Sequence, residues 1–159
     1  MTSDFSKYTD YKTILSVNAL IWCDGKVLLL KRSKNKKIDP GVYSGVGGKV
    51  EPHESFYDAL LREIKEETGL IPKKLWVVPN INSFYSQADD CISLLPVFAA
   101  QLSSSCSVKI SEEHCEYKWV SSKEAKKLFA WEGQRKSVDI IENYFVKEKN
   151  FLDLVEVVL

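Results

Sequence analysis

A chain of 159 residues has the usual size of one folding unit, so a single domain over residues 1–159 is expected. Its 45% hydrophobic and 28% charged residues are typical of a soluble globular protein and exclude general disorder. The 22 basic residues cancel the 22 acidic ones, so no whole-molecule field draws the chain to nucleic acid or to an anionic membrane.

The amino terminus, MTSDFSKYTDYK, lacks the basic start and apolar run of a signal peptide. The apolar stretches 14–23 and 92–102 are too short and interrupted to span a bilayer. Cys23, Cys91, Cys106 and Cys115 form no CxxC pair and are sparse for a disulfide scaffold, so reduced thiols and a cytoplasmic location are expected.

Residues 13–23 (TILSVNALIWC) are rich in β-branched and large apolar side chains, and Asp24-Gly25 separates them from Val27 to Leu30, which is a hairpin signal. A loop with Pro40 and several glycines follows, with a short extended piece near residues 42–46. The clearest helix covers residues 55–68, with Ser55 as N-cap and Gly69 as C-cap. Residues 75–78, 81–85, 92–100 and 117–120 read as strands, and 122–129 and 133–146 as helices. Strands on both sides of a well-marked helix indicate an α/β domain with helices packed on a sheet.

On a helical projection Phe56, Ala59, Leu60 and Ile64 fall within a sector about 140° wide, the core-facing stripe. Glu63, Glu66 and Glu67 project to roughly the same side, while Asp58, Arg62 and Lys65 lie opposite. Carboxylates at i, i+3 and i+4 repel one another unless a cation joins them. Hard oxygen ligands suit Mg²⁺, with Mn²⁺ as substitute, and Mg²⁺ is commonly shared with substrate phosphates. An acidic surface patch paired with Arg62 or a lysine is the alternative reading of the cluster alone. Gly47 and Gly48 just upstream permit close backbone approach, and a free carbonyl there could complete a metal site.

Residues 48–70, GKVEPHESFYDALLREIKEETGL, carry Gly48, Glu54, Arg62, Glu63, Ile64, Glu66, Glu67, Gly69 and Leu70 at every specified position of G-x5-E-x7-R-E-U-x-E-E-x-G-U. The chain thereby resembles the Nudix hydrolases. The resemblance implies an α/β/α sandwich with a mixed β-sheet between helices, and hydrolysis of a nucleoside diphosphate linked to another moiety. It implies metal ligation by Glu63, Glu66, Glu67 and the Gly47 carbonyl, and a supporting pair in Arg62 and Glu54. The attacking water's base is expected at Glu113, because Glu113 to Trp119 resembles an EH-x(4)-W segment of Nudix nucleoside triphosphate pyrophosphohydrolases. Glu113 would also enter the metal site, and Glu112 and Glu116 are the alternatives.

Among the basic residues 31–37, Arg32 lies closest to the expected site with Lys49, and both are candidate phosphate contacts. Lys36 and Lys37 read as solvated loop charge. Tyr43 and Phe84, with Tyr85, are candidates to stack on a base or pterin. His53 reads as a turn residue and His114 as a structural hydrogen-bonder, while Trp22, Trp76 and Trp119 read as core.

Beyond the box, the strand before Gln101 and the WEGQR stretch at 131–135 resemble bacterial dihydroneopterin triphosphate pyrophosphatases, also described as dATP pyrophosphohydrolases. The GVGGKVE loop is closer to the oxidised-nucleotide sanitising branch. The leading expectation is a Mg²⁺-dependent enzyme converting a nucleoside or pterin triphosphate to the monophosphate and pyrophosphate, as monomer or homodimer. Rivals are an oxidised-dGTP sanitiser and a diadenosine polyphosphate or nucleotide-sugar hydrolase. A non-catalytic nucleotide-sensing module is a further rival, disfavoured because all the box carboxylates are kept.

Overall fold

A computed structural model describes residues 12–87, 89–103, 107–147 and 149–158. Residues 1–11 of the amino-terminal segment read above for a leader, and Cys106, lie outside the described residues. The strands are β1 (Thr13–Cys23), β2 (Lys26–Arg32), β3 (Tyr43–Ser44), β4 (Val46–Lys49), β5 (Lys74–Ser86), β6 (Cys91–Gln101), β7 (His114–Val120) and β8 (Glu156–Val157). The helices are α1 (Phe56–Thr68), α2 (Ser122–Leu128) and α3 (Glu132–Val146), followed by a short 3-10 helix, Lys149–Val155.

Asp24 and Gly25 both take positive φ, 49° and 72°, and close β1 onto β2 with Cys23 opposite Lys26. That two-residue turn matches the strand twist, which is why an Asp-Gly pair predicts it. The strand order is β3-β2-β1-β6-β5-β8, with β4 also on β1 and β7 also on β2. Only β1 and β6 run parallel among these pairings; the others are antiparallel, so the sheet is mixed.

Each face of the sheet has its own core. Val17, Ala19 and Ile21 of β1 pack with Ala59, Leu60 and Ile64 of α1, whereas Leu20 and Trp22 pack with Ala125 of α2 and Val138 and Ile141 of α3. The side-chain period of two along β1 therefore serves two helical layers at once. Helices on both faces of a mixed sheet make the expected α/β/α sandwich.

Two expectations need correction. Residues 75–78 and 81–85 form one strand, interrupted between Val78 and Ile81 by a register shift. Pro79 supplies no donor, so the ladder bulges there instead of ending. Phe56, the first residue of α1, is 37% exposed rather than in the core stripe. The 3-10 helix and β8 were not foreseen; β8 pairs with β5 at Leu75 and Trp76, a contact no local pattern announces. No helix of the described residues is long and apolar enough to cross a membrane.

Candidate functional site

The acidic end of α1 is placed by its caps. Ser55 accepts from the Asp58 amide at 3.1 Å, and Gly69 closes the helix at φ 69° with its amide on the Lys65 carbonyl at 2.8 Å. The last carbonyls of α1 are then taken by a distant segment. Lys109 donates its amide to Thr68 at 2.9 Å, and Ser111 donates to Glu67 at 3.2 Å. Satisfying these otherwise unpaired helix carbonyls pulls residues 109–113 alongside α1 and sets Ser111 and Glu113 beside the helix's acids.

A second approach comes from the glycine strand. β4 lies on β1 with Gly48 opposite Val17, on the α1 face. A Cβ added at Gly48 would meet the Glu63 carboxylate, which would have to move aside, so glycine leaves the strand backbone room beside this carboxylate where it stands. These elements enclose a cavity of about 440 Å³ lined by Arg32, Gly47, Gly48, Lys49, Glu63, Glu66, Glu67, Ser111 and Glu113.

Glu67 is the most constrained group in it. The residue is 6% exposed, and its Oε2 has no hydrogen-bond partner. Burial, with the Glu63 charge added, pushes its carboxyl up to about 8 despite a backbone hydrogen bond from Gly47. Burial also raises Glu63, opposed by the adjacent Arg62 guanidinium. A buried carboxylate with an unsatisfied oxygen, next to the half-buried Glu63 that repels it, is a donor set suited to a hard divalent cation. As they stand, however, no three acidic, His or Cys side chains among the described residues converge closely enough to hold an ion. The reason is visible in their partners: Glu63 and Glu66 turn to Arg62, and Glu113 turns to Arg32 and Lys36.

Arg62 is the hub of that arrangement. Its Nε and Nη2 donate to the two oxygens of Glu54 at 2.8 and 2.9 Å, Nη2 also to the Lys49 carbonyl at 3.1 Å, and Nη1 to Glu63 at 2.7 Å. Glu54 also accepts from the Glu51 amide at 2.9 Å, and the Arg62 guanidinium beside it holds its carboxyl down at about 2. A planar fork bound at both ends ties the loop 49–54 to α1. Helical projection places Arg62 opposite the acids, but its long side chain folds back to them.

The basic run 31–37 is divided by strand alternation. Leu28 and Leu30 face α1, and Arg32 continues on that side into the cavity. Lys31 faces the other layer, where its ammonium and that of Lys118 each stand 5.2 Å from the Tyr43 ring and both pair with Glu116. Tyr43 therefore carries two cations and does not line the acidic cavity, and neither does Phe84, which is 55% exposed on β5. Glu116 is likewise outside the cavity, and the Glu112 carbonyl accepts from Ser33 Oγ at 3.2 Å. Only Glu113 of the three candidate bases lines it. Lys49 lines the cavity as expected.

Two residues escaped sequence reasoning. Ser111 enters the cavity through its backbone strap to Glu67, and Lys36, read as solvated loop charge, lies 3.5 Å from Glu113. His53 takes φ 66° in the turn before α1, and His114 is buried, which lowers its pKa. A second cavity, about 360 Å³, lies at the β5–β8 edge among Lys73, Lys74, Asp153, Glu156, Val157 and Val158, away from the acidic cluster.

Known proteins resemble the chain in sequence and in fold. An ADP-ribose pyrophosphatase of Methanocaldococcus jannaschii is 41% identical over 87 residues, 54% of this chain and 48% of that protein, so the chain spans about half the length of this relative. A nucleoside triphosphatase NudI of Escherichia fergusonii is 34% identical over 108 residues, 64% of this chain and 77% of that protein. The E. coli dihydroneopterin triphosphate pyrophosphohydrolase superposes with a TM-score of 0.68 over 80% of this chain and 95% of that one, at 22% identity, a likeness of fold. The family model for the NUDIX domain matches residues 12–139, which include the glycine strand, the Arg62 hub and the acidic end of α1; the chain belongs to the Nudix family.

Proposed function

We propose that the protein is a Mg²⁺-dependent hydrolase that converts a nucleoside or pterin triphosphate to the monophosphate and pyrophosphate. The observation that carries this reading is Glu67, a buried carboxylate with an unpartnered oxygen beside Glu63, under a cavity that also presents Arg32 and Lys49.

When bound by Glu63, Glu66, Glu67 and the Gly47 carbonyl, a divalent cation supplies neutralisation of phosphate charge and a lowered pKa for the attacking water. Arg32 and Lys49 offset the remaining charge of the polyphosphate. Glu113 accepts the proton of the water that attacks phosphorus, and the phosphoanhydride P–O bond breaks, releasing pyrophosphate or its equivalent. Arg62 and Glu54 keep the glycine strand against α1, so they act by holding the carboxylates in place.

A second reading, hydrolysis of a nucleoside diphosphate joined to a sugar, is supported by the 41% identity to an ADP-ribose pyrophosphatase. Oxidised dGTP and diadenosine polyphosphates fit the same cavity chemistry, and the reading includes a monomer or homodimer acting in the cytoplasm. The test is a Mg²⁺ panel of dATP, dGTP, 8-oxo-dGTP, dihydroneopterin triphosphate, ADP-ribose and diadenosine polyphosphates, with products separated by chromatography. Fastest turnover of a triphosphate, with pyrophosphate released, is expected. Fastest turnover of ADP-ribose selects the second reading, and tight binding without any hydrolysis overturns both in favour of a sensing module.

A further inference from the structure

Glu113 stands in two charge environments at once. It lines the cavity with Glu63, Glu66 and Glu67, and it is paired with two cations, Arg32 of the same lining through Nη1 at 3.6 Å and Lys36 beyond the lining through Nζ at 3.5 Å. The loop carrying Lys36 is held in place by its backbone. Arg32 and Val42 close its base through Arg32 N to Val42 O at 2.9 Å and Gly41 N to Arg32 O at 3.0 Å, while Ser33 donates its amide to the Glu113 carbonyl at 2.9 Å. Lys36 N in turn donates to Ser33 O at 3.2 Å. Lys36 is thus a cation built onto the rim beside Glu113, half-buried where its neighbour Lys37 is exposed.

These pairs differ in kind from the Arg62 hub. The fork between Arg62 and Glu54 closes at 2.8 and 2.9 Å with both side chains mostly covered. The Glu113 pairs are long for charge-assisted contacts, and the Glu113 side chain is 47% exposed, so solvent screens them. Arg32 also keeps a buried Nε with no partner, a donor ready for another acceptor. Both Glu113 oxygens are engaged by cations that a polyanion would attract, in a cavity whose acids a polyvalent cation would attract.

We propose that Arg32 and Lys36 are exchange counter-ions. They hold Glu113 aside while the cavity is empty of substrate, and they transfer to the polyphosphate when it arrives, freeing the Glu113 carboxylate for the acidic cavity. Lys36 is a positioning residue for Glu113 and a contact for a polyphosphate. This rests on the reading of the cavity as a phosphoanhydride hydrolase site, and it predicts effects of opposite sign on the two ligands. Removing Lys36 takes away a competitor for Glu113 and so tightens metal; it also takes away a phosphate contact and so weakens the polyanion.

The experiment uses the full chain and two probes, Mn²⁺ alone, followed by the EPR signal of the free ion, and inorganic tripolyphosphate, followed by calorimetry. Lys36→Ala is expected to tighten Mn²⁺ and weaken tripolyphosphate, each by about two- to fivefold, the scale of an exposed ion pair. Lys37→Ala should move neither by as much as twofold. In a Glu113→Gln background Lys36→Ala should no longer change Mn²⁺ affinity, which separates exchange at Glu113 from a general loss of positive charge. Unchanged or weakened Mn²⁺ binding in Lys36→Ala overturns the exchange, and so does an Mn²⁺ gain that persists in the Glu113→Gln background. A wild-type protein that binds Mn²⁺ and hydrolyses the panel while Lys36→Ala moves neither probe refutes the exchange alone. One that binds no Mn²⁺ and hydrolyses nothing refutes the hydrolase reading and the exchange with it.

Discussion

Glu67→Gln offers a test of the site that needs no substrate. The Glu67 carboxyl is pushed up to about 8 from 4.5, by burial first and by Glu63 second. Between these values the folded chain holds a proton that the unfolded chain has released. Unfolding free energy therefore falls as pH rises through that window, and the stability present below about 4.5 is lost by about 8. That displacement corresponds to a ceiling of about 5 kcal/mol, at about 1.4 kcal/mol for each tenfold change in proton affinity. For a chain of this size about 1 kcal/mol moves Tm by roughly 2–4 °C, so the ceiling is roughly 10–20 °C. A glutamine carries no proton equilibrium, so the variant should lack this component. The assay is thermal unfolding of both proteins in EDTA from pH 5 to 9. The wild type should lose at least about 5 °C relative to Glu67→Gln between pH 5 and 8. Excess Mg²⁺ should recover that loss in the wild type only. A Tm difference constant within a degree across the range would refute the claim that Glu67 is buried beside Glu63 with one oxygen unpartnered.

Three further outcomes follow from the geometry. Arg62→Lys keeps the charge but loses the fork to Glu54, so kcat should fall about 10- to 100-fold while the far-UV spectrum is kept; wild-type turnover would remove Arg62 from the site. Gly48→Ala drives a methyl against the Glu63 carboxylate and displaces it, so Mn²⁺ affinity measured by EPR should drop at least about tenfold; unchanged affinity would remove Glu63 from the metal site. Glu113→Gln should lower kcat by about 10²–10⁴, whereas Glu116→Gln, paired with Lys31 and Lys118 outside the cavity, should leave kcat within about threefold; the reverse order would reassign the base.

How much of this was legible beforehand depends on the range of the forces involved. The sequence by itself determined α1 and its limits, because Ser55 and Gly69 act on their own helix ends. It determined the β1–β2 hairpin, because Asp24-Gly25 can adopt the positive φ values the turn requires. It also determined the family, since the spacing of Gly48, Glu54, Arg62, Glu63, Glu66 and Glu67 is local. The merging of two strands into β5 was missed because a bulge at Pro79 is decided by the neighbouring ladder.

Only the tertiary structure decided which of three nearby acids reaches the cavity. Glu112, Glu113 and Glu116 are equivalent as residue types, and the strap from Ser111 to the end of α1 places Glu113 there. The pairing of β7 with β2 sends Glu116 to Lys31 and Tyr43 on the opposite face. The same holds for the basic run, where strand alternation turns Arg32 toward the carboxylates and Lys31 away, and where a loop closed by backbone bonds brings Lys36 to Glu113. Composition sums these charges to zero; the alternation of a strand and the unpaired carbonyls of a helix end decide which of them meet.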